Sequence, residues 1–368
     1  MPVKRFSRTK LFTHNEQELE LFKIANSFGI EIDILNYGAR ITSLKIPTRF
    51  SSDSYEDVVL GFDSYDKYFS DVDYINAIVG RVANRIANSQ FIIGNQKFSV
   101  SSNEGNNHLH GGFQGFDSKV WNFIKFIEES ESIGIRLSMI SPHLDEGYPG
   151  NLEVTVDFLL SEDNRFVIKT NALSDQDTVV SITNHNYWNF NGHADHYADI
   201  SNHILNIPSN FICIKNEDNL PNGNFSSVLD SPYDFTIPRK LNGAFIYEDG
   251  IDHNYCFHHI DDSFCSAELF SPSTGLGATI VSDLPGLQCY TGSQMQASYD
   301  GKYGRSYGPC FGICLEPQFY PDAINQTKFI SPLLLANQEY QKTISIKFRN
   351  DYPLESSGRG VVLKHSCK

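Results

Sequence analysis

The stretch Leu152-Glu-Val-Thr-Val-Asp-Phe158 alternates apolar and polar side chains. This alternation predicts a β-strand with one buried and one solvated face, because successive side chains of a strand point to opposite sides. The same pattern recurs at residues 30–34, 166–170 and 344–348. Turn-forming residues interrupt the alternating segments at 36–38, 93–95 and 148–150. One solvated face is typical of antiparallel sheets. The sequence therefore predicts an all-β fold, built as a large antiparallel β-sandwich.

Helical periodicity is weak throughout the chain. No long segment repeats its apolar residues about every 3.6 positions, and the best helical candidate is short, at residues 64–70. Proline, glycine and serine are spread evenly, so no linker divides the 368 residues. We therefore expect a single domain over residues 1–368, although length alone suggests about two.

The composition is that of a globular protein. Aromatic residues make up 13% and hydrophobic residues 40% of the chain, and the formal net charge is −15. Nucleic acids and anionic membranes select basic surfaces, so neither is an expected partner, and no apolar run approaches the roughly 20 residues of a membrane span. Residues 1–10 are basic but lack the hydrophobic core of a secretory signal, and the seven cysteines lack zinc-type spacing. We expect a cytoplasmic protein with reduced thiols.

Five polar clusters interrupt the strands. They are rich in histidine, asparagine, arginine and carboxylate side chains, and they read GRVANRI at 80–86, NNHLHGG at 106–112, TNHNYWNFNGHADH at 183–196, GIDHN at 250–254 and GICLEPQFYPDA at 312–323. A single residue of these types beside a turn is usually a hydrogen-bonded loop residue. The recurrence of such clusters indicates a shared ligand site instead.

Two kinds of ligand fit these clusters only in part. A transition metal would suit His108 and His110, which with a distant glutamate resemble a cupin-type ligand set. The glycine pair that follows them favours a loop, on which the two imidazoles need not share a face. A phosphate could lie between Arg81 and Arg85, but the chain has neither GxxxxGK[ST] nor a GxGxxG between a strand and a helix.

A sugar fits the composition of the clusters better. Each hydroxyl both donates and accepts hydrogen bonds, so sugar sites combine Asn, Asp, Gln, His and Arg side chains. The apolar C–H face of a hexose packs on an aromatic ring, a role that Tyr187 or Trp188 can fill.

Together these motifs resemble the aldose 1-epimerase family, also called galactose mutarotases. The resemblance rests on NYGARI, GRVANRI, NHLHGG, EGYPGNL, TNHNYWNF, GIDHNY, LQCYTG and LEPQFYPDA, which occur in the family's order from about residue 36 to about residue 325. It implies a β-supersandwich domain that interconverts the α and β anomers of free aldohexoses, typically galactose and glucose, without a cofactor or a metal.

The resemblance also implies roles for individual residues. The family's general acid, the histidine of TNHxY, corresponds to His185, and its general base, the glutamate of LExQ, corresponds to Glu316. The substrate-holding positions of the family correspond to Asn84, Arg85, His110, Tyr187, Asp252 and Gln288. We expect Asp252 to be paired, since a buried lone carboxylate is unfavourable.

Mutarotation needs one base and one acid. The base removes the proton of the anomeric hydroxyl while the acid protonates the ring oxygen, and the roles reverse when the ring closes again. Histidine, with an unperturbed pKa of about 6.5, suits the acid, and a nearby imidazolium is expected to keep Glu316 ionised. The other histidines are expected to be loop residues, surface residues or neighbours of the site: His14, His143, His193, His196, His203, His253, His258, His259 and His365.

Two other functions remain open at this point. A hexose-phosphate epimerase of related fold would need a basic pocket, for which Arg81 is the obvious residue. A carbohydrate-binding protein without activity would have no use for both His185 and Glu316. The expected partner is a small aldohexose, and the chain is expected to be a monomer or a homodimer.

Overall fold

A computed structural model describes residues 5–49, 54–193, 199–241, 250–257, 265–295 and 299–354. Nearly all of the regular structure in these residues is β-strand, which confirms the predicted fold class. The strands up to residue 179 are β1 (Arg5–His14), β2 (Gln17–Ala25), β3 (Glu31–Leu35), β4 (Arg40–Pro47), β5 (Tyr55–Asp57), β6 (Ile78–Val79), β7 (Arg85–Ile86), β8 (Gln90–Ile93), β9 (Gln96–Ser99), β10 (His108–Leu109), β11 (Asn122–Glu128), β12 (Ser132–Ser141), β13 (Leu152–Ser161), β14 (Arg165–Ser174) and β15 (Thr178–Val179). The later strands are β16 (Thr183–Asn184), β17 (Tyr187–Trp188), β18 (Ile204–Asn206), β19 (Phe211–Lys215), β20 (Pro221–Ser227), β21 (Arg239–Lys240), β22 (Asp252–Cys256), β23 (Cys265–Phe270), β24 (Gly277–Ser282), β25 (Gly286–Tyr290), β26 (Tyr299–Asp300), β27 (Ser306–Tyr307), β28 (Ile313–Gln318), β29 (Leu333–Leu334) and β30 (Glu339–Arg349).

The largest sheet contains the alternating stretch Leu152–Phe158. Its nine strands follow the order β11-β12-β13-β14-β30-β24-β23-β18-β21, and its pairs are antiparallel. In β13, Leu152, Val154, Val156 and Phe158 are fully buried, whereas Glu153 between them is exposed. The period of two therefore sets which face of this sheet packs inward.

Two further sheets complete the main layers. A five-stranded sheet has the order β1-β2-β3-β4-β5, and a six-stranded sheet has the order β17-β28-β25-β22-β19-β20. One hydrophobic core draws on all three sheets, through residues such as Ile32 of β3, Val156 of β13 and Leu315 of β28. Each fully buried aliphatic side chain of this kind contributes roughly 1.5–3 kcal/mol, so this shared core fixes the sheets against one another.

Helices are short among the described residues. The segment predicted as helical forms a 3-10 helix at Tyr65–Ser70, and the other 3-10 helices are Ala87–Ser89, Phe116–Ser118, Asp145–Gly147, Lys302–Gly304 and Ala323–Asn325. No helix in this part of the chain has the length and apolar character that a membrane crossing requires. The cysteines described with free thiols are all buried: Cys213, Cys256, Cys289, Cys310 and Cys314.

Candidate active site

One face of the six-stranded sheet carries a row of polar side chains. Glu316 of β28 pairs with Gln288 of β25, which in turn pairs with Asn254 of β22. Asp252 lies two residues before Asn254 and therefore on the same face. This register brings three of the predicted site residues, from three separate segments of the sequence, onto one surface.

All eight predicted site residues line a single cavity of about 190 Å³. The predicted residues in its wall are Asn84, Arg85, His110, His185, Tyr187, Asp252, Gln288 and Glu316. The wall also contains residues that the motifs did not single out: Val72, Asp73, Tyr74, Glu104, Leu109, Tyr290 and Gln294.

His185 lies in the short connection between β16 and β17 and is held there by its backbone. Its N–H donates to the Ala77 carbonyl at 2.9 Å, and its own carbonyl accepts from Asn76 N–H at 3.0 Å. The buried imidazole places Nε2 3.7 Å from Oε2 of Glu316, while Nδ1 lies 3.5 Å from the Cys314 sulfur. The two predicted catalytic groups are therefore neighbours.

Burial sets the charge states of this pair. Loss of water raises the pKa of Glu316 well above its usual range, and the nearby carboxylate of Asp252 raises it further. Loss of water also lowers the pKa of His185 to about 4. This differs from the expectation of an imidazolium beside Glu316, because desolvation by burial opposes both charged forms more than an attraction across 3.7 Å favours them. Burial therefore favours the neutral imidazole and the neutral carboxyl group.

His110 and Asn84 fix each other's positions. His110 N–H donates to the Asn84 carbonyl at 3.1 Å, and Asn84 N–H donates to Nδ1 of His110 at 3.2 Å. Since Nδ1 accepts, the neutral ring carries its hydrogen on Nε2, which is then a donor for a ligand. Burial lowers the pKa of His110 well below its usual range, so the ring stays neutral. Both residues adopt the left-handed region, with φ of 52° for His110 and 64° for Asn84.

The glycine after His110 explains part of the loop motif. Gly111 has φ of +93°, and a Cβ at this position would overlap the carbonyl oxygen of Gly80. A side chain is therefore excluded where the two loops cross, and the close approach brings the GRVANRI and NHLHGG motifs together.

Arg85 is already bound to a carboxylate in the wall of the cavity. Its Nε and Nη2 donate to the two oxygens of Glu104 at 2.7 and 2.6 Å. This fork-to-fork pairing holds the guanidinium plane and leaves Nη1 for other acceptors. Glu104 lies outside every motif of the sequence analysis, and only its spacing before the NHLHGG stretch could have drawn attention to it.

Asp252 is paired, as expected. Its Oδ1 accepts from Nε2 of Gln288 at 2.5 Å, and its Oδ2 lies 3.8 Å from Nζ of Lys215. Lys215 also donates to the Asp252 carbonyl at 2.7 Å. Gln288 therefore couples two neighbouring strands at the floor of the cavity.

Aromatic rings form part of the cavity wall. Tyr187 lines it and donates its hydroxyl hydrogen to the Asp73 carbonyl at 3.0 Å, and Tyr74 packs 4.7 Å from the His110 ring. The alternative platform, Trp188, is excluded because its buried ring stacks on Phe190 inside the core.

The structure separates His108 and His110, the two histidines weighed as metal ligands. Two hydrogen bonds hold the buried ring of His108. The Ser101 carbonyl oxygen lies 2.7 Å from Nδ1, and the Tyr148 hydroxyl oxygen lies 2.6 Å from Nε2. Both of its nitrogens are used there, and only His110 reaches the cavity. His108 is therefore a structural residue.

One other group of side chains among the described residues has metal-ligand chemistry, namely His185, Cys314 and Glu316. A metal takes one nitrogen of an imidazole. In this group Nδ1 faces the sulfur and Nε2 faces the carboxylate, so the ring lies between the other two ligands. This placement fits proton transfer better than chelation.

The candidate phosphate ligand Arg81 points away from the cavity. Its buried guanidinium donates to the carbonyls of Pro149 and Ser141 at 2.7 and 2.9 Å, and to Thr178 Oγ1 at 3.2 Å. Arg81 therefore ties loops together, and the basic pocket that a sugar phosphate would need is not built from it.

The remaining described histidines stay out of the cavity wall. His203 differs from the expectation of a loop or surface residue or a neighbour of the site, because it is fully buried and its Nε2 accepts from Phe190 N–H at 2.9 Å. Four of the histidines lie outside the described residues: His196, His258, His259 and His365.

Comparison with known proteins covers nearly the whole chain. The model of the aldose 1-epimerase family matches residues 20–347. Galactose mutarotase from Bos taurus is 35% identical over 333 residues, which cover 90% of this chain and 94% of that protein. Galactose mutarotase from Homo sapiens is 33% identical with the same two coverages, and aldose 1-epimerase from Haemophilus influenzae is 31% identical over 90% of this chain and 96% of its own length.

Solved structures agree on the fold. A GalM/aldose epimerase homologue from C. elegans superposes with a TM-score of 0.80 at 25% identity and covers 94% of this chain and 99% of its own. Galactose 1-epimerase from Lactobacillus acidophilus gives a TM-score of 0.81 at 23% identity with the same coverages, which supports the β-supersandwich fold. The chain belongs to the aldose 1-epimerase family.

Proposed function

We propose that this aldose 1-epimerase opens and recloses the ring of free aldohexoses with Glu316 as the base and His185 as the acid. The observation that carries the proposal is the 3.7 Å separation of His185 Nε2 and Glu316 Oε2 in the wall of one cavity. The anomeric oxygen and the ring oxygen of a hexose are bonded to the same carbon, so the groups that act on them must be neighbours.

The proton count of the reaction is balanced. Glu316 takes the proton of the anomeric hydroxyl, His185 gives a proton to the ring oxygen, and the C1–O5 bond breaks to leave an open-chain aldehyde. After rotation about C1–C2 the two transfers run in reverse and produce the other anomer. Each such group typically contributes about 10²–10⁴-fold, so two suffice for a reaction that already proceeds in water.

Substrate binding prepares the pair for this step. Burial favours the neutral forms of His185 and Glu316, whereas catalysis needs imidazolium and carboxylate. Both arrangements contain one proton. A bound sugar donates the hydrogen of its anomeric hydroxyl to Glu316 and accepts a hydrogen bond from His185. These hydrogen bonds stabilise the carboxylate and the imidazolium, and therefore favour the productive arrangement.

The other predicted residues hold the sugar while its ring is open. Arg85 offers Nη1, His110 offers Nε2–H, and Asp252 offers carboxylate oxygens, so donors and an acceptor face the cavity together. Asn84 and Gln288 orient His110 and Asp252, and Tyr187 supplies an aromatic surface. We propose galactose and glucose as substrates on this basis and on the family.

We also propose a single catalytic domain, for which the support is a core that runs from Phe22 to Phe348. A cytoplasmic location is supported by the buried free thiols of the described cysteines. Monomer and homodimer both remain proposals, and light scattering on the purified protein decides between them.

Polarimetry on freshly dissolved α-galactose and α-glucose tests the proposed function. The protein is expected to accelerate the change in rotation of both sugars, and exhaustive dialysis against a strong chelator is expected to leave the rate unchanged. Acceleration only with a hexose 6-phosphate would favour the phosphate epimerase. Activity that is lost on dialysis and restored by zinc would replace the metal-free mechanism.

A further inference from the structure

Beyond Glu316 and Gln288, the same sheet face carries two more amide side chains. Gln318 follows Glu316 by two residues on β28, and Asn254 stands opposite Gln288 on β22. Residues two apart on a strand share a face, so these side chains stand side by side on the six-stranded sheet. Gln318 and Asn254 are absent from the wall of the sugar cavity and lie one step behind it.

Both amides are buried with no hydrogen-bond partner in the described part of the chain. Gln318 is 0% and Asn254 is 2% exposed, and neither the oxygen nor the nitrogen of either amide is paired. Oε2 of Glu316 and Oε1 of Gln288 are buried and unpaired as well. Buried polar atoms of folded proteins nearly always pair with protein or with ordered water, so this concentration of unpaired atoms indicates a polar occupant.

A glycine lies on the strand between the two amides. Gly286 of β25 pairs with Gln318 on one side and with Cys256 on the other. A Cβ on Gly286 would lie 2.5 Å from Oδ1 of Asn254 and 2.8 Å from the ring of Tyr320. The Asn254 amide therefore lies over Gly286, beside the position of Gln318 on the next strand, and the space considered below is the region between these two amides.

The chemistry of this space fits water. A buried water needs two to four polar partners, and the amides of Gln318 and Asn254 supply donors and acceptors on the sheet face that carries Glu316. An apolar cluster that includes Cys256 and Tyr320 borders the space on its other side. A sugar hydroxyl is the less suitable occupant because Gln318 and Asn254 do not reach the sugar cavity.

We propose that Gln318 and Asn254 hold ordered water against Oε2 of Glu316 and act as positioning residues for the base. Water in this place donates hydrogen bonds to the carboxylate and stabilises its ionised form. It therefore opposes the effect of burial and increases the fraction of the pair that has the proton on His185. The inference rests on the proposed role of Glu316.

The groups that also act on the charge of Glu316 stay unchanged in the test. The titratable side chains around it are His185, Asp252, Cys289 and Cys314, with Arg85, His110, Tyr74, Tyr187 and Tyr290 elsewhere in the cavity wall. None of them is replaced in the variants below.

The test replaces Gln318 by Met, which has a similar length but no amide. The Gln318→Met enzyme is expected to keep its KM for galactose and to lose about tenfold in kcat, the factor that corresponds to one hydrogen bond to a charged group. After correction for the uncatalysed rate, the alkaline limb of its kcat–pH profile is expected to shift to higher pH, because Glu316 binds its proton more tightly. Gln318→Asn keeps an amide and is expected to recover most of kcat.

Tyr320→Phe is the matched control. Its ring borders the same space, but its hydroxyl donates away from it, to the Phe257 carbonyl at 3.3 Å. The control is expected to lose stability without a shift of the pH profile. If Gln318→Met and Tyr320→Phe give the same pH profile, Gln318 is only structural and the proposal fails. A large rise in KM with unchanged kcat would also overturn it, by placing Gln318 against the sugar.

A high-resolution crystal structure of the unmodified protein tests the inference without a variant. Water within hydrogen-bond distance of Gln318, Asn254 and Oε2 of Glu316 supports the proposal, and a dry space or two amides paired with each other overturns it. Failure of the proposed function is distinguishable, because it would appear as an active Glu316→Gln enzyme, whatever this space contains.

Discussion

The two walls of the candidate active-site cavity are built in different ways. The sheet wall consists of Asp252, Gln288 and Glu316, which lie on β22, β25 and β28 and are aligned by regular antiparallel pairing. The loop wall consists of Asn84, Arg85, His110 and His185, which lie in or beside strands of two residues.

The difference between the walls is one of backbone constraint. Positions on the sheet wall follow from strand register, and a slip by one residue would turn a side chain to the other face. Positions on the loop wall depend on left-handed residues such as Asn84 and His110 and on the close approach of Gly111 to Gly80. The proposed acid lies on the loop wall and the proposed base on the sheet wall, so the proposed catalysis depends on how well the two walls are fixed against each other.

The largest effect is expected for Glu316, the proposed base on the sheet wall. Glu316→Gln keeps the shape of the side chain but removes the base, so kcat is expected to fall at least ~100-fold with KM nearly unchanged. His185→Ala is expected to act mainly on kcat as well. Steady-state polarimetry on folded variants measures both, and Glu153→Gln on the exposed face of β13 is the control. A Glu316→Gln enzyme that keeps roughly a tenth of the activity would falsify the assignment.

The next prediction distinguishes residues proposed to bind the sugar from the residues proposed to catalyse its ring opening. Arg85→Ala on the loop wall and Asp252→Ala on the sheet wall each remove a charged hydrogen-bonding group. Each is expected to raise KM by about 10- to 150-fold, which corresponds to roughly 1.5–3 kcal/mol. A lower kcat is also expected, because the open chain drifts from the acid and the base.

The outcome decides where the sugar sits. The same kinetics, with thermal melts to confirm folding, give the result for both walls. If both variants fold and retain the KM and kcat of the unmodified enzyme, the sugar binds elsewhere.

The sequence predicts the sheet wall and the main sheets better than it predicts the loop wall. Alternation in stretches such as Leu152–Phe158 reports directly which face is buried, and the motifs locate the polar clusters. Alternation also implies that only one of Tyr187 and Trp188 can face the cavity, but a strand of two residues does not show which one. Glu104 was missed because its pairing with Arg85 depends on loop geometry.

Charge states were the other limit of the sequence. Reference pKa values suggested an imidazolium beside a carboxylate, whereas burial of His185 and Glu316 favours their neutral forms. Burial depends on the whole fold around the pair, and no local motif contains that information.

A smaller effect follows from the pH dependence of the pair. With the pKa of His185 lowered to about 4, lowering the pH through that value adds a second proton and leaves no base. We expect kcat/KM to fall as the pH is lowered through about 4, and the decline to approach about tenfold per pH unit below that value. NMR titration of His185, assigned with His185→Gln, is expected to show a neutral ring at pH 7. A ring that titrates near 6.5 would contradict the effect of burial on the loop wall.

The smallest expected effect concerns the support of the loop wall. Glu104 holds the guanidinium of Arg85 through two hydrogen bonds, but its side chain is 34% exposed, so solvent weakens the pair. Partly exposed ion pairs of this kind contribute about 0–1 kcal/mol, which corresponds to at most about fivefold. Glu104→Gln is therefore expected to raise KM by less than about fivefold and to leave kcat nearly unchanged, because the acid and the base are not displaced.

A matched pair on a different sheet provides the control for Glu104. Arg136 and Asp157 make the same two-pronged contact, at 2.6 Å for both hydrogen bonds, on the nine-stranded sheet and away from the cavity. Asp157→Asn is expected to change stability alone. If Glu104→Gln raises KM as much as Arg85→Ala does, then Glu104 itself contacts the sugar. If it has no effect, the backbone around Asn84 suffices to hold Arg85, and the loop wall is as rigid as the sheet wall.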